Sequence, residues 1–171
     1  MNFVFTGFMG SGKTAVGKAV AKKLNRRFFD TDELVEKSAG MPISRIFEQY
    51  GEETFRSMER EAVEAACENT DVVIACGGGA VLNPKNVEKL SKNGIIICLT
   101  ASPEKIFERI KDDTARPLLQ CPDPLEKIKS LLKERSGAYS VCDFSFDTSN
   151  MSAAKAAEEV LTYLESWNKK E

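Results

Sequence analysis

The sequence predicts an α/β protein, a three-layer α/β/α sandwich around a five-stranded parallel sheet. Three observations lead to this prediction. Short apolar runs alternate along the chain with longer stretches of helical periodicity. The runs are apolar on both faces, as expected for parallel strands that helices cover on two sides. The first run leads into a glycine-rich loop and then into a helix, as in doubly wound folds.

The five expected strands are the apolar runs at residues 3–5, 27–29, 72–75, 95–99 and 144–146. Between them, the spacing of apolar side chains predicts helices at residues 13–24, 32–39, 43–50, 52–68, 84–91, 103–111 and 124–138. A last helix is expected at residues 152–167, where Ser152 can cap it and Glu158 lies early in it. No internal repeat or linker interrupts the chain, so we expect one domain, residues 1–171.

Two segments depart from simple strand–helix alternation. Residues 32–68 place roughly three helices between the second and third strands, which is more than one crossover requires. Residues 111–124 are rich in turn-forming residues and weakly periodic. Ligands of open parallel sheets bind outside the carboxyl ends of the strands, where such excursions can reach. We therefore expect an acceptor-binding insert at 32–68 and a mobile lid at 111–124.

Composition and charge exclude several classes of protein. The chain is 42% hydrophobic and 29% charged, which argues against disorder, and its net charge of −2 argues against a broad nucleic-acid-binding surface. The five cysteines form no Cys-x-x-Cys pair and histidine is absent, which excludes a zinc site and an imidazole base. The longest apolar run is too short to cross a bilayer and no signal-peptide pattern is present. We expect a cytoplasmic monomer with no membrane or nucleic-acid partner.

The glycine-rich loop has the Walker A pattern Gly7-x-x-x-x-Gly12-Lys13-Thr14. Its backbone N–H groups can wrap a phosphate, and the dipole of the following helix adds to the attraction. Lys13 can reach the β- and γ-phosphates of ATP, and the Thr14 hydroxyl can ligate Mg²⁺. The residues expected to bind ATP here are Gly10, Ser11, Gly12, Lys13, Thr14 and Ala15.

Two carboxylates end the second expected strand, in the segment Phe-Phe-Asp30-Thr-Asp32. Both lie at the sheet edge that also carries the Walker A loop if the sheet is parallel. One of them could hold Mg²⁺, directly or through water. The other could accept a hydrogen bond from the hydroxyl group that receives the phosphoryl group. The alternative for Asp32 is an ordinary helix N-cap.

The third expected strand ends in Gly77, Gly78 and Gly79. Consecutive glycines at a strand end indicate backbone that lies against a ligand, although a tight turn is the alternative. No Asp-Glu pair follows this strand, whereas motor-type ATPases commonly carry acidic residues there. The absence favours phosphoryl transfer to a hydroxyl over hydrolysis.

Four arginines lie near these motifs: Arg56 in the insert, Arg109 before the lid, Arg116 within it and Arg135 near the end of a helix. Guanidinium groups suit both a carboxylate and a transferring phosphoryl group. A solvated surface residue is the alternative for each of them when it is considered singly.

Five motifs in this order resemble the shikimate kinase family: Gly-Phe-Met-Gly-Ser-Gly-Lys-Thr, Phe-Phe-Asp-Thr-Asp, Gly-Glu-x-x-Phe-Arg-x-x-Glu, Gly-Gly-Gly-Ala and Arg-Pro-Leu-Leu. The resemblance runs from residue 1 to about residue 147. It implies a P-loop fold of the nucleoside-monophosphate-kinase type with a lid and a substrate-binding subdomain. The implied reaction transfers the γ-phosphoryl group of ATP, with Mg²⁺, to the 3-hydroxyl of shikimate on the route to chorismate and the aromatic amino acids.

The resemblance also implies roles for single residues. Asp32 contacts the shikimate hydroxyls and orients or deprotonates the nucleophile, and Asp30 lies on the Mg²⁺ side, usually acting through water. Arg56 and Arg135 clamp the shikimate carboxylate. The remaining implied contacts are backbone beside a substrate hydroxyl at Gly77, Gly78 and Gly79, a lid arginine on the phosphates at Arg116, and packing on adenine at Arg109. Lys13, Asp32 and Arg116 are thus the expected catalytic residues.

Two other functions remain as alternatives. Another small-molecule kinase of the same fold, such as a gluconate or nucleotide kinase, would share the Walker A loop but lack the combination of the other motifs. A nucleotide-dependent switch would be expected to carry Asn-Lys-x-Asp for guanine, and the sequence has no such motif.

Overall fold

A parallel sheet forms the centre of the protein, whose computed structural model describes residues 1–113 and 121–168. Within these residues the sheet has five strands in the order β2-β3-β1-β4-β5, all paired in parallel. The strands are β1 (Asn2–Thr6), β2 (Phe28–Asp30), β3 (Val73–Ala75), β4 (Gly94–Thr100) and β5 (Phe144–Asp147). The predicted five-stranded parallel sheet is confirmed, with strand ends displaced by at most one residue.

Helices cover both faces of the sheet. They are α1 (Lys13–Leu24), α2 (Thr31–Ala39), α3 (Ile43–Cys67), α4 (Pro84–Lys92), α5 (Pro103–Ile110), α6 (Pro124–Glu134), α7 (Ser136–Tyr139) and α8 (Ala153–Asn168), with one 3₁₀ turn at Ala80–Leu82. None of the helices within the described ranges combines the length and the apolar character that a membrane crossing needs.

Successive side chains of β1 point to opposite faces of the sheet and define its two apolar layers. Phe3 and Phe5 pack with α1 and α8, in a cluster that includes Val160. Val4 packs on the other face with Val63 of α3 and neighbouring side chains of α4. Burial on both faces explains why the strands are apolar runs without polar alternation.

The strand order brings three chain turns to one edge. β1 lies between β3 and β4, and β3 separates it from β2. Because the strands are parallel, the loop after β1, Asp30 at the end of β2 and the glycines after β3 all lie at the carboxyl edge of neighbouring strands. This is the edge at which ligands of doubly wound sheets bind.

Two helical segments are interrupted. The predicted break between helices 43–50 and 52–68 is confirmed, because the two run on as α3 with a kink at Gly51, where φ is 79° and ψ is 175°. Glycine adopts such a positive φ without the steric penalty of a side chain. The expected helix at 124–138 is divided into α6 and α7 at Arg135, whose backbone leaves the helical region at φ −95° and ψ 4°.

The interval between β2 and β3 has a small apolar core of its own. Val35 of α2 packs there with Ile46, Phe55 and Ala62 of α3. The expected lid is described only at its two ends, and residues 114–120, which include Arg116, lie outside the described residues.

Candidate active site

The loop at residues 7–12 joins β1 to α1 and has the backbone geometry of a phosphate cradle. Gly7 and Gly12 have positive φ angles of 128° and 99°. A Cβ atom at Gly7 would collide with the carbonyl oxygen of Leu99, so only glycine fits there. Gly12 begins α1 with no side chain capping the helix and no acidic residue in its first turn. The N–H groups of that turn and the helix dipole therefore suit an anion.

Lys13 lies against this loop. Its side chain is only 8% exposed, and its Nζ atom donates to the carbonyl oxygen of Phe8 over 2.8 Å. The bond folds the ammonium group back over the cradle, where it adds positive charge to that of the helix terminus. The neighbouring Thr14 and Ala15 are exposed in the first turn of α1.

Asp30 links the cradle to β2. Its Oδ2 atom accepts a hydrogen bond from the Thr14 hydroxyl over 2.7 Å, and its Oδ1 atom accepts from the Asp32 N–H over 3.0 Å. Asp30 is therefore the N-cap of α2, and the alternative in which Asp32 caps this helix is wrong. The reason is that β2 extends to Asp30, which moves the cap two residues earlier than that alternative supposes.

Thr14 and Asp30 suit a magnesium ion. Both present oxygen atoms, the donor type that Mg²⁺ prefers, on a site beside the cradle. No group of three or more acidic, cysteine or histidine side chains within residues 1–113 and 121–168 is arranged to hold a metal. Mg²⁺ in phosphoryl transfer is generally held by one or two protein carboxylates or hydroxyls and completed by substrate phosphates and water.

A cavity of about 390 Å³ opens beside these groups. Its charged and polar lining combines predicted residues from five parts of the chain, namely Thr14, Asp30, Asp32, Arg56, Gly78, Gly79 and Arg135. Its apolar wall comes from α3 and its approach, at Pro42, Ile43, Phe47 and Phe55. Arginines, a carboxylate and the magnesium-side residues thus share one cavity of a size for a small molecule.

The triple glycine is explained by its neighbours. A Cβ atom at Gly77 would lie 2.5 Å from Oδ1 of Asp32, and one at Gly79 would collide with Nη1 of Arg56. Gly78 contributes backbone to the cavity and accepts a hydrogen bond from the Tyr139 hydroxyl over 2.6 Å. Gly78 and Gly79 line the cavity, whereas Gly77 lies behind it and donates its N–H to Thr31 Oγ1. The absence of side chains at Gly77 and Gly79 leaves room for Asp32 and Arg56.

Glu59 is a site residue to which the sequence analysis assigns no role. It is 2% exposed, lines the cavity, and accepts a hydrogen bond from Nη1 of Arg56 over 2.9 Å. Its other oxygen, Oε1, has no hydrogen-bond partner in the part of the chain that the structure describes. The signal was the last glutamate of the Gly-Glu-x-x-Phe-Arg-x-x-Glu motif, three residues after Arg56 on the same helix.

The charges of Arg56 and Glu59 are set by burial and by each other. Burial raises the pKa of Glu59, and the attraction of Arg56 offsets only part of that rise, while Asp32 adds to it. Burial lowers the pKa of Arg56, but Glu59 and Glu52 together bring it above its ordinary value. Arg56 therefore stays protonated and is oriented by two carboxylates.

Replacing Glu59 by glutamine should change how stability depends on pH. A carboxyl whose pKa is raised on folding stabilises the protein most below its unfolded pKa, and this contribution is lost as pH rises through the folded pKa. The free energy of unfolding of the wild type, relative to Glu59→Gln, should therefore fall as pH rises above the ordinary value of 4.5. Urea unfolding of both proteins across the acid-to-neutral range measures this, with Glu61→Gln on the exposed face of the same helix as the control. If the wild type instead gained stability relative to Glu59→Gln as pH rises, the attraction of Arg56 would outweigh the effect of burial on the Glu59 carboxyl.

Arg135 also lines the cavity, together with Arg56. It lies at the junction of α6 and α7, is 8% exposed, and its Nε–H has no hydrogen-bond partner within the described residues. A buried guanidinium group with an unused donor favours an anionic ligand, because the unmade hydrogen bond carries a desolvation penalty.

Arg109 lies in a second, more open cleft of about 520 Å³. The cleft is lined by Lys105, Glu108, Arg109, Ser149, Asn150 and Met151. Arg109 donates to the carbonyl oxygen of Gly10 over 3.0 Å and to the hydroxyl and carbonyl oxygens of Thr148 over 3.1 and 2.6 Å. The cleft therefore adjoins the cradle, and the 148–151 loop, which the sequence analysis left without a role, forms one of its walls.

The predicted site residues thus fall into two adjoining groups. The 390 Å³ cavity collects the expected acceptor residues except Gly77, and the cradle with the open cleft collects the expected nucleotide residues, of which Thr14 also lines the cavity. Arg116 lies outside the described residues, so its position relative to either group is not part of this arrangement.

Comparison with known proteins identifies the family. The family model described as shikimate kinase matches residues 9–165. The chain is 51% identical over 160 residues to a shikimate kinase of Caldanaerobacter subterraneus subsp. tengcongensis and 49% identical over 160 residues to one of Thermoanaerobacter pseudethanolicus, with 94% of each chain covered in both comparisons. A solved shikimate kinase of Acinetobacter baumannii in complex with shikimate superposes with a TM-score of 0.93 at 36% identity, covering 96% of this chain and 93% of that one. This chain belongs to the shikimate kinase family.

Proposed function

We propose that this protein transfers the γ-phosphoryl group of ATP to the 3-hydroxyl of shikimate, giving shikimate 3-phosphate and ADP. The observation that carries the proposal is the single cavity in which Arg56 and Arg135 share the lining with Asp32 and with Thr14 of the cradle. Shikimate is a small anion with three hydroxyl groups, so it needs cations at one end and hydrogen-bond acceptors at the other.

The acceptor is held by charge and by shape. Arg56 and Arg135 bind its carboxylate, and Glu59 fixes the Arg56 guanidinium in the orientation for that contact. Asp32 and the backbone of Gly78 and Gly79 lie beside its hydroxyl groups. The apolar wall of the cavity packs against its ring and excludes water.

The nucleotide is held by the cradle and the open cleft. The N–H groups of residues 10–15 bind the phosphates, and adenine lies in the cleft against Arg109. Arg116 in the lid moves onto the phosphates when both ligands are bound. Thr14 and Asp30 hold Mg²⁺, which neutralises phosphate charge when it is bound with ATP.

Transfer itself rests mainly on positioning and on charge stabilisation. Asp32 orients the 3-hydroxyl and accepts its proton as the new P–O bond forms. Lys13 and Arg116 stabilise the negative charge on the transferring group. Closure of residues 111–124 keeps water from the phosphoryl group, which favours transfer over hydrolysis.

We also propose that the protein works as a cytoplasmic monomer built as one domain, residues 1–171, with 32–68 as the acceptor-binding part. Residues of one chain line both ligand clefts. The five cysteines are unpaired thiols, which suits a reducing compartment.

An ADP-release assay with ATP and Mg²⁺ tests the choice of acceptor. Shikimate, gluconate and a nucleoside monophosphate are supplied in parallel, together with a reaction that lacks any acceptor. We expect ADP release with shikimate alone. Turnover with gluconate or the monophosphate while shikimate stays inert would decide for the alternative kinases, and tight GTP binding without turnover of any acceptor would decide for a switch.

Removing either clamp arginine should weaken shikimate binding far more than ATP binding. We expect Arg56→Ala and Arg135→Ala each to raise the shikimate Kd about 30- to 100-fold, because each loses charge-assisted hydrogen bonds of about 2–3 kcal/mol. Titration calorimetry with each ligand measures both constants. Arg60→Ala, on an exposed position of the same helix as Arg56, is the matched control. Equal losses for the two ligands would contradict the carboxylate clamp.

A further inference from the structure

Thr148 links Arg109 of the open cleft to the phosphate cradle. It follows β5 directly and is 2% exposed, although it belongs to a loop. Its hydroxyl donates to the carbonyl oxygen of Ser11 over 2.8 Å, across 137 positions of sequence, and lies 3.0 Å from the carbonyl oxygen of Thr100. Because this hydroxyl is buried away from water, it must find its hydrogen-bond partners within the protein.

The single hydroxyl proton of Thr148 has a preferred acceptor. The Thr100 carbonyl oxygen already accepts the Thr148 backbone N–H over 2.8 Å. Arg109 donates into the Thr148 hydroxyl oxygen over 3.1 Å, so the hydroxyl proton must point elsewhere. The shorter contact, to Ser11, takes the proton.

Hydrogen bonds to their carbonyl oxygens hold two successive peptide groups of the cradle. Arg109 binds the carbonyl oxygen of Gly10, and Thr148 binds that of Ser11. A peptide group is planar and trans, so its N–H points opposite to its C=O. Fixing the Ser11 carbonyl toward Thr148 therefore fixes the Gly12 N–H away from Thr148, on the opposite side of the peptide.

We propose that Thr148 is a positioning residue for phosphoryl transfer: its hydroxyl holds the Ser11 carbonyl and thereby aims the Gly12 N–H at the phosphates of the nucleotide. Thr148 acts through the loop and touches no reacting atom. The proposal rests on the proposed function only in taking a nucleoside triphosphate as the ligand of the cradle. Because Ser11 is also fully buried, loss of the hydroxyl leaves a carbonyl without a partner and lets the peptide rotate.

Thr148→Val removes the hydroxyl and keeps the shape of the side chain. We expect kcat/KM for ATP to fall about tenfold, since one backbone donor to the phosphates is displaced rather than deleted. The KM for shikimate should stay within about twofold, and Thr148→Ser, which restores the hydroxyl, should return kcat/KM to within about threefold of the wild type. Thr162→Val is the matched control, because that hydroxyl also donates to a backbone carbonyl, Glu158, but on the exposed surface of α8.

Inhibition by fragments of ATP separates an effect on the cradle from an effect on the open cleft. In Thr148→Val the inhibition constant of inorganic tripolyphosphate against ATP should rise about tenfold, to match the fall in kcat/KM for ATP. The inhibition constant of adenosine should be unchanged. The reverse pattern, or a Thr148→Val protein with wild-type kinetics, overturns the proposal. Failure of the wild type to phosphorylate shikimate would instead contradict the proposed function, whereas binding of tripolyphosphate to the Gly12 N–H can be measured without turnover.

If Thr148→Val does not fold, the proposal can still be tested on the wild-type protein. In a ¹⁵N-labelled wild type, adding tripolyphosphate should move the amide proton resonance of Gly12 downfield, as expected for an N–H that donates to an anion. Movement of the Lys13 and Thr14 amides with Gly12 unmoved would overturn the assignment.

Discussion

Lys13→Ala is expected to abolish phosphoryl transfer while leaving the protein folded. The Lys13 ammonium group lies over the cradle and supplies charge where negative charge gathers on the β- and γ-phosphates. Its removal should lower kcat by roughly 10³-fold, as for loss of a main electrostatic contact to a transition state. The fold should lose only about 1 kcal/mol, the usual net value of one hydrogen bond such as that to the Phe8 carbonyl.

Turnover measured at saturating ATP and shikimate, with thermal unfolding in parallel, tests both halves of this expectation. Lys22→Ala is the control, since Lys22 is an exposed lysine on the same helix. Near-normal turnover by Lys13→Ala would contradict the cradle assignment. A collapsed thermal transition would assign Lys13 to folding instead.

Asp32→Asn is expected to have the second-largest effect. The change keeps the size and one oxygen acceptor of the side chain but removes its charge and its ability to accept a proton. We expect kcat to fall about 10²- to 10³-fold, the usual contribution of a general base, with a much smaller change in shikimate affinity. Single-turnover kinetics and shikimate titrations separate the two effects.

Comparison with Asp32→Ala distinguishes the two roles that Asp32 can have. If Asp32 only orients the hydroxyl, asparagine retains most of the rate and alanine does not. If it accepts the proton, both variants lose the rate. Glu88→Gln, an exposed acid on α4, controls for the loss of one negative charge. Wild-type rates in both Asp32 variants would exclude the residue from the chemistry.

The periodicity of the sequence is enough to predict the sheet and most of the helices, because burial of strands on both faces and of helices on one face is written into local patterns. The break at Gly51 was also predicted, between the helices expected at 43–50 and 52–68. The division of the helix expected at 124–138 at Arg135 was not, because apolar spacing continues through that position and the break depends on backbone angles that the spacing does not report. This break matters for function, since it lies at a proposed clamp arginine.

Site residues divide in the same way. Lys13, Thr14 and the acids after β2 were predictable because a compact motif carries them. Glu59 and Thr148 were not, because a glutamate on an amphipathic helix and a threonine in a loop are ordinary solvent-facing residues until the fold buries them. The N-cap of α2 was not predictable either: it is Asp30 and not Asp32, the alternative that the sequence left open, because the cap depends on the residue at which β2 ends.

The most direct measurement of the central claim is the position of the transferred phosphoryl group. Wild-type protein is incubated with ATP, Mg²⁺ and shikimate, and the products are analysed by ¹H–³¹P correlation NMR. The proposed function predicts equal amounts of ADP and of shikimate phosphorylated at its 3-hydroxyl. ADP with inorganic phosphate and unchanged shikimate, or phosphorylation at another hydroxyl, would contradict the account.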